Sequence, residues 1–267
     1  MKSGFLLTIM SLGVVAFIVV AMVSAPPAEE EKNNDRIGII GAMAIEVDTL
    51  IAETDVKEVR EFGDTTYYSG TMHGRNVVIA QCGMGKVHAG TCAQIMITIF
   101  GAKYVINTGT AGALDDRLDI GDIVISTDAV QHDFDVTPLG YAKGEIPYTG
   151  KYSFEADSGM MELAVRAAAE CAPEANVFQG RICTGDYFVN SDEQKTAITT
   201  QFGGLCCEME GGAVAQVCYL NDTPFVIIRA MADKADGTLP PDYPAFERMA
   251  ALRSASIVQY MVFQFTD

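Results

Sequence analysis

Residues 104–112 read Tyr104-Val105-Ile106-Asn107-Thr108-Gly109-Thr110-Ala111-Gly112. A short apolar run passes into polar residues and then into glycines and small side chains. That is the pattern of a buried strand running into a small-residue turn. In α/β folds ligands bind where such strands end and loops begin, so this stretch predicts both an architecture and the place to look for a site.

The segments on either side repeat the pattern. Arg36 to Gly41 (RIGIIG) is a second short apolar run ended by glycine, followed by a short amphipathic helix from about Ile45 to Ala52. Thr65 to Tyr68, the turn His73-Gly74-Arg75-Asn76 and Val77 to Gln81 predict an antiparallel hairpin. Lys86 to Phe100 predicts a helix with Val87, Thr91, Ile95 and Ile99 one turn apart on a face. Beyond residue 112 come a strand over Asp122 to Thr127, a loop through Asp133, Pro138 and Pro147, and a helix over Gly159 to Cys171. A strand over Val177 to Thr184 and helices near Asp192 to Thr200 and Gly211 to Leu220 follow. A strand over Phe225 to Ala230 and a final helix from about Tyr243 to Phe263 close the chain. Strand and helix alternate with no internal repeat and no linker between residues 36 and 267. One α/β domain is expected, with a mixed central sheet and helices on both faces.

Composition narrows the function. The 267 residues carry 18 basic and 35 acidic side chains, a net charge of −17. Such an excess of carboxylates repels phosphate backbones and anionic headgroups, which argues against a nucleic-acid partner or a polybasic membrane role. At the amino end, Lys2 precedes an uncharged run from Phe5 to Val23, then Ser24-Ala25-Pro26-Pro27 and Glu29-Glu30-Glu31. A basic start, an apolar middle and a small-residue end predict a signal peptide over residues 1–25, cleaved after Val23-Ser24-Ala25. The run is nearly long enough to span a bilayer, so an uncleaved N-terminal anchor over residues 5–23 stands beside that reading. Either one predicts an exported protein, periplasmic or extracellular, because the cation precedes the run and the acids follow it. Residues 26–35 read as a flexible spacer.

Seven cysteines (Cys82, Cys92, Cys171, Cys183, Cys206, Cys207, Cys218) form an odd set without metal-ligand spacing. Disulfides and small buried thiols both stay open. The three histidines are dispersed, and neither a metal nor a cofactor is expected.

The distinctive residues fall in segments of glycines and small residues at strand ends: Gly41 to Glu46 (GAMAIE), Cys82 to Lys86 (CGMGK), Asn107 to Gly112 (NTGTAG), Thr184 to Asn190 (TGDYFVN), Glu208 to Gly212 (EMEGG) and Arg229 to Asp233 (RAMAD). In this order and spacing they resemble the 5′-methylthioadenosine/S-adenosylhomocysteine nucleosidases of the nucleoside phosphorylase superfamily, over essentially all of residues 37–267. The resemblance implies a three-layer α/β/α sandwich, usually a homodimer whose subunits each lend a loop to the neighbouring pocket. It also implies hydrolysis of 5′-methylthioadenosine, S-adenosylhomocysteine or 5′-deoxyadenosine to release adenine.

Cleaving an adenine–ribose bond needs an acid at the departing base, a stabiliser of positive charge on the sugar, and a group that orients water. Three carboxylates at separate strand ends meet that need: Asp233 as general acid, Glu46 on the water and Glu210 on the ribose hydroxyls, as the resemblance implies. Asp233 then requires a raised pKa. It also implies that Phe188 stacks on adenine beside the Val189 backbone and that Thr110, in place of a usual serine, lies near Ala111 and Gly112 at the ribose. Met43, Met84 and Met209 are core residues or line the slot for a thioether. Leu139, Tyr141 and Pro147, with His132, lie in the loop that would reach the neighbour.

Alternative readings remain. Glu46 could simply be a first-turn helix acid, and Asp233 a partner of Lys234. Glu208 and Glu210 point to opposite sides if their strand continues, which leaves Glu208 as a structural acid or a second ribose ligand. A non-catalytic nucleoside receptor, or a nucleosidase for aminodeoxyfutalosine, would share the fold. The family's usual serine before the acid is here Ala232, which puts the support of Asp233 in question. The first three glycine loops hold no arginine to grip phosphate, which favours water as the nucleophile.

Overall fold

The computed structural model describes residues 35–238 and 242–265. The expected signal or anchor over residues 1–25, and nearly all of the spacer over 26–35, lie outside the described residues.

The strands are β1 (Arg36–Gly41), β2 (Asp55–Phe62), β3 (Thr65–Met72), β4 (Arg75–Gln81), β5 (Ala102–Ala113), β6 (Ile123–Gln131), β7 (Phe154–Glu155), β8 (Val177–Thr184), β9 (Cys206–Glu208) and β10 (Phe225–Asp233). The helices are α1 (Ala44–Ala52), α2 (Lys86–Thr98), α3 (Ser158–Cys171), α4 (Asp192–Phe202), α5 (Gly211–Leu220) and α6 (Tyr243–Gln264). One mixed sheet runs in the order β10-β6-β8-β9-β5-β1-β4-β3-β2. Strand β10 also pairs in parallel with β5, so the sheet curls back on itself.

Two apolar cores flank the sheet. Val47 and Leu50 of α1, Met160 and Ala164 of α3, and Ile257 and Met261 of α6 pack on one face around Ile39, Ile106 and Ile228. On the other, Cys92 and Met96 of α2 and Val214 and Cys218 of α5 pack around Ile40, Val105 and Ile227. The central strands are apolar on both faces because both faces are covered.

Three expectations need correction. Strand β5 does not turn at Gly109 but continues to Ala113. Strand β2 went unpredicted: its residues, DVKEVREF, are exposed along most of their length. It is the sheet's edge, where charge discourages stray pairing and erases the apolar alternation. On α2 the row Val87, Thr91, Ile95, Ile99 is not the core face. Val87 is 78% and Ile99 49% exposed, while Ala89, Cys92, Ala93 and Met96 are buried.

All seven cysteines are unpaired, and all but Cys171 are buried. Burial pushes the Cys92 and Cys183 thiols up to about 12. Of the two readings of the cysteines, the structure has the small buried thiols.

Candidate active site

These segments converge on one concave cleft walled by apolar side chains and carboxylates, the character of a small-molecule site. Its wall includes Glu46, Glu210 and Asp233 together with Met43, Met84, Thr110, Ala111, Gly112, Phe188, Val189, Glu208 and Met209. Strand β9 crosses the end of β5 through the pairs Gly112–Cys207 and Ala113–Cys206, which carries Glu208 and Glu210 to the mouth where Thr110 lies.

Glu46 is both a helix acid and a cleft acid. From the first turn of α1 its Oε2 accepts the amides of Ala42 (2.7 Å) and Met43 (3.0 Å). Its Oε1 accepts the Thr110 amide at 3.1 Å, so one carboxylate bridges the ends of β1 and β5. Gly109 is glycine because of this approach: a Cβ there would stand 2.6 Å from Glu46 Oε1. Gly112 gives way likewise, since its Cβ would meet Asp233 Oδ1 at 2.8 Å.

Asp233 is 4% exposed and has no ion pair with Lys234, which turns away to Asp119 at 2.8 Å. Instead the Ala235 amide donates to Asp233 Oδ1 at 2.7 Å. Ala235 adopts a left-handed conformation, φ 53°, and this tight turn aims its N–H back at the carboxylate. The support left open by Ala232 is thus supplied by the backbone. Ala232 itself packs in the apolar core beneath α6.

Glu208 and Glu210 do not diverge across a strand, because β9 ends at Glu208 and Glu210 begins α5. Both reach the cleft, in different states. Glu208 accepts from Thr184, from Arg229 and from the amides of Glu210 (3.0 Å) and Gly211 (2.7 Å). Among the described residues Glu210 accepts the Gly85 amide alone, on Oε1 at 2.9 Å, with Arg229 3.7 Å from Oε2. Arg229 is 1% exposed and also donates to Asn107 Oδ1 at 2.6 Å.

Burial raises the Asp233 carboxyl above its ordinary range against the pull of the Ala235 amide, with Asp236 and Glu247 adding to the rise. Burial also raises Glu46, opposed by Arg229 and the three amides it accepts. Glu210 is pushed up to about 7 by burial and by the Glu208 charge, with Arg229 opposing.

Met84 (59% exposed) and Phe188 (49%) are not core residues but stand open at the cleft. Leu139, Tyr141 and Pro147 do not line this chain's cleft, and Leu139 is 74% exposed. His132 departs from expectation: it is 2% exposed, lying under Gly185 and edge-on to Tyr187 at 5.1 Å, and so does not reach outward. Sequence reasoning missed Tyr187, Cys207, Tyr243 and Glu247 as wall residues. The first two lie inside or beside motifs already singled out. Tyr243 and Glu247 come from the first two turns of α6 and carry no local signal.

A cleft of carboxylates at strand ends, on a mixed sheet that curls onto itself, defines a class, and the chain belongs to the phosphorylase superfamily, whose family model matches residues 36–262. A 5′-methylthioadenosine/S-adenosylhomocysteine nucleosidase from Anoxybacillus flavithermus is 40% identical over 228 residues, covering 85% of this chain and 97% of the relative. The crystal structure of the Neisseria meningitidis nucleosidase of the same name, in complex with methylthio-immucillin-A, matches with TM-score 0.82 and 39% identity, covering 86% of this chain and 100% of that one. A futalosine hydrolase from Helicobacter pylori matches with TM-score 0.81 and 31% identity, covering 87% and 99%. Within the superfamily, this chain is a member of the 5′-methylthioadenosine/S-adenosylhomocysteine nucleosidase family.

Proposed function

We propose that this protein hydrolyses the N-glycosidic bond of 5′-substituted adenosines (5′-methylthioadenosine, S-adenosylhomocysteine, 5′-deoxyadenosine) and releases adenine. The composition of the cleft wall carries this reading. Glu46, Glu208, Glu210, Asp233 and Glu247 line it, and no cation does among the described residues. Departure of adenine leaves positive charge on the ribose, and preorganised carboxylates stabilise that charge without reorganisation. The same wall repels phosphate, and the nearby Arg229 is engaged by Glu208, Glu210 and Asn107. Water is therefore the nucleophile.

The roles follow from which lone pairs are free. The Ala235 amide occupies Asp233 Oδ1, so the acid proton sits on Oδ2 and passes to N7 of the departing purine. Glu46, held by three amides, orients the attacking water. Glu210 keeps Oε2 for the ribose hydroxyls, while Glu208 is committed to Thr184, Arg229 and the turn into α5. Phe188 and Val189 receive the base, and Met43, Met84 and Met209 the 5′ thioether. Adenine release from methylthioadenosine proceeds at the same rate with and without inorganic phosphate; strict dependence on phosphate would refute the proposal.

The futalosine hydrolase likeness supports a second reading, in which the 5′ substituent is the larger one of aminodeoxyfutalosine. Comparing kcat/KM for the two nucleosides decides between them. A homodimer fits the open apolar residues Val87 of α2, Ile99 just after it and Leu220 of α5, and leaves Leu139, Tyr141 and Pro147 to complete the neighbour's cleft. Sedimentation of the purified chain tests that assembly. The residues before 26 would export the enzyme or anchor it outside the cytoplasm, where it scavenges nucleosides. Recovery only from the cytosol, with residues 1–25 retained, would exclude this.

A further inference from the structure

Phe188, set against the purine in the proposed function, is 49% exposed, and the adjoining Tyr187 is 39% exposed. Tyr187 leans edge-on against His132, but packing alone does not fix the open Phe188 ring, so something else must set the position of this segment. The segment enters from β8 and is tied at its first residues by side chains from distant parts of the chain. The Asp186 amide donates to Asp133 Oδ2 at 2.8 Å. The Asp186 carboxylate in turn accepts the Lys86 amide at 2.8 Å. Lys86 closes the circuit with its side chain, Nζ to Asp133 Oδ1 at 2.6 Å.

The circuit is sheltered, with the side chains of Lys86 and Asp133 only 16% and 18% exposed. Burial pushes the Asp133 carboxyl upward, but Lys86 and the Asp186 amide outweigh it and hold it below its ordinary value. The circuit also serves α2. The residue at its amino end, Gly85, has no side chain to cap the helix, and Asp186 supplies the missing acceptor where negative charge is favoured. One residue earlier, the Gly85 amide holds Glu210 Oε1 at 2.9 Å. The start of α2 thus ties the purine wall on one side to the ribose carboxylate on the other.

We infer that Asp133, clamped between Lys86 and the Asp186 amide, is a positioning residue that sets the adenine-binding wall relative to Met84 and Glu210. The inference rests on Phe188 and Val189 receiving the purine, as proposed above. Asp133 touches no reacting atom, so losing it should weaken nucleoside binding far more than it slows the chemical step.

The experiment measures kcat and KM for methylthioadenosine, and Kd for adenine by calorimetry, with D133N, K86M, the double variant and K86R, each with its melting temperature. In D133N and in K86M, KM and the adenine Kd should rise on the order of tenfold while kcat changes by less than about threefold, as expected of lost positioning. The double variant should be no worse than the worse single one, since both break one circuit. K86R, which keeps the cation, should recover most of the affinity lost in K86M. An unchanged KM and Kd in D133N overturns the inference. So does a fall in kcat and melting temperature with binding intact, which would mark a merely structural tie. Should D133N not fold, K86M and K86R decide the matter by the same two constants, because they break and restore the circuit from its other end. If wild-type protein releases no adenine, the proposed function fails instead, and that result is separate from any comparison among the variants.

Discussion

The amide of Ala235 points at the carboxylate of Asp233 from 2.7 Å, two residues along the same chain. This turn does for the acid what a neighbouring hydroxyl would do, and Ala232, buried in the opposite core, is spared the task. The contact fixes one oxygen and leaves the other for a proton.

Substituting Asp233 by Asn keeps an oxygen for the Ala235 amide but offers no transferable proton. Turnover should fall by about 10³-fold, within the usual range for losing a general acid, while Kd for the nucleoside stays within about threefold. Single-turnover adenine release and equilibrium binding, measured together, check this. Loss of binding in place of turnover would assign Asp233 to recognition.

The pH profile of kcat/KM should report two buried carboxyls. Asp233 works protonated, so activity declines on the alkaline side as it ionises. Glu46 works ionised, so activity declines on the acid side as it gains a proton. Burial raises both groups, and both limbs should lie above the pH at which free carboxylates titrate. The profile of Glu46→Gln should lose its acid limb along with most of its rate.

Glu208 and Glu210 should separate in stability measurements. A carboxylate whose folded pKa is raised stabilises the fold below its ordinary value, and that contribution is lost as pH climbs through the folded value. For Glu210 the window runs from 4.5 to about 7. The unliganded enzyme should lose up to about 3 kcal/mol across it, and E210Q should flatten that decline. E208Q breaks the buried pair with Arg229 and should cost roughly 3 kcal/mol at neutral pH. Urea unfolding at pH 5 and pH 8 distinguishes the two.

Gly109→Ala tests whether the glycine is there for the carboxylate. The added methyl would overlap the positions of Glu46 Oε1 and the Arg229 guanidinium, and kcat should fall on the order of 10²-fold as Glu46 is displaced. A G109A enzyme with full activity would mean that the site accommodates the methyl without moving its acid.

Much of this arrangement was legible in the residues. Apolar runs located β1, β5 and β10, the first two passing into glycine, because central strands buried on both faces have no polar alternation to blur them. Glu46, Glu210 and Asp233 stood out because each sits at a strand end and matches a motif of the family that the chain resembles. Strand β2 was hidden, since an edge strand bearing Asp55, Lys57, Glu58, Arg60 and Glu61 has the charge pattern of a loop. The row Val87, Thr91, Ile95, Ile99 misled because α2 buries its small residues against the sheet and α5. Tyr243 and Glu247 were invisible, as only the docking of α6 across the mouth of the cleft makes them wall residues. The contrast between a saturated Glu208 and an open Glu210 depends on Arg229 and Thr184, which no local spacing encodes.

The seven unpaired sulfurs have a practical corollary. An alkylating reagent needs a thiolate and a path to it. The native molecule offers it only the half-sheltered Cys171, and burial raises even that thiol's pKa. The unfolded chain offers seven. The number of adducts per molecule after a brief pulse of iodoacetamide is therefore a stopwatch for opening of the whole fold, readable by mass without any added label.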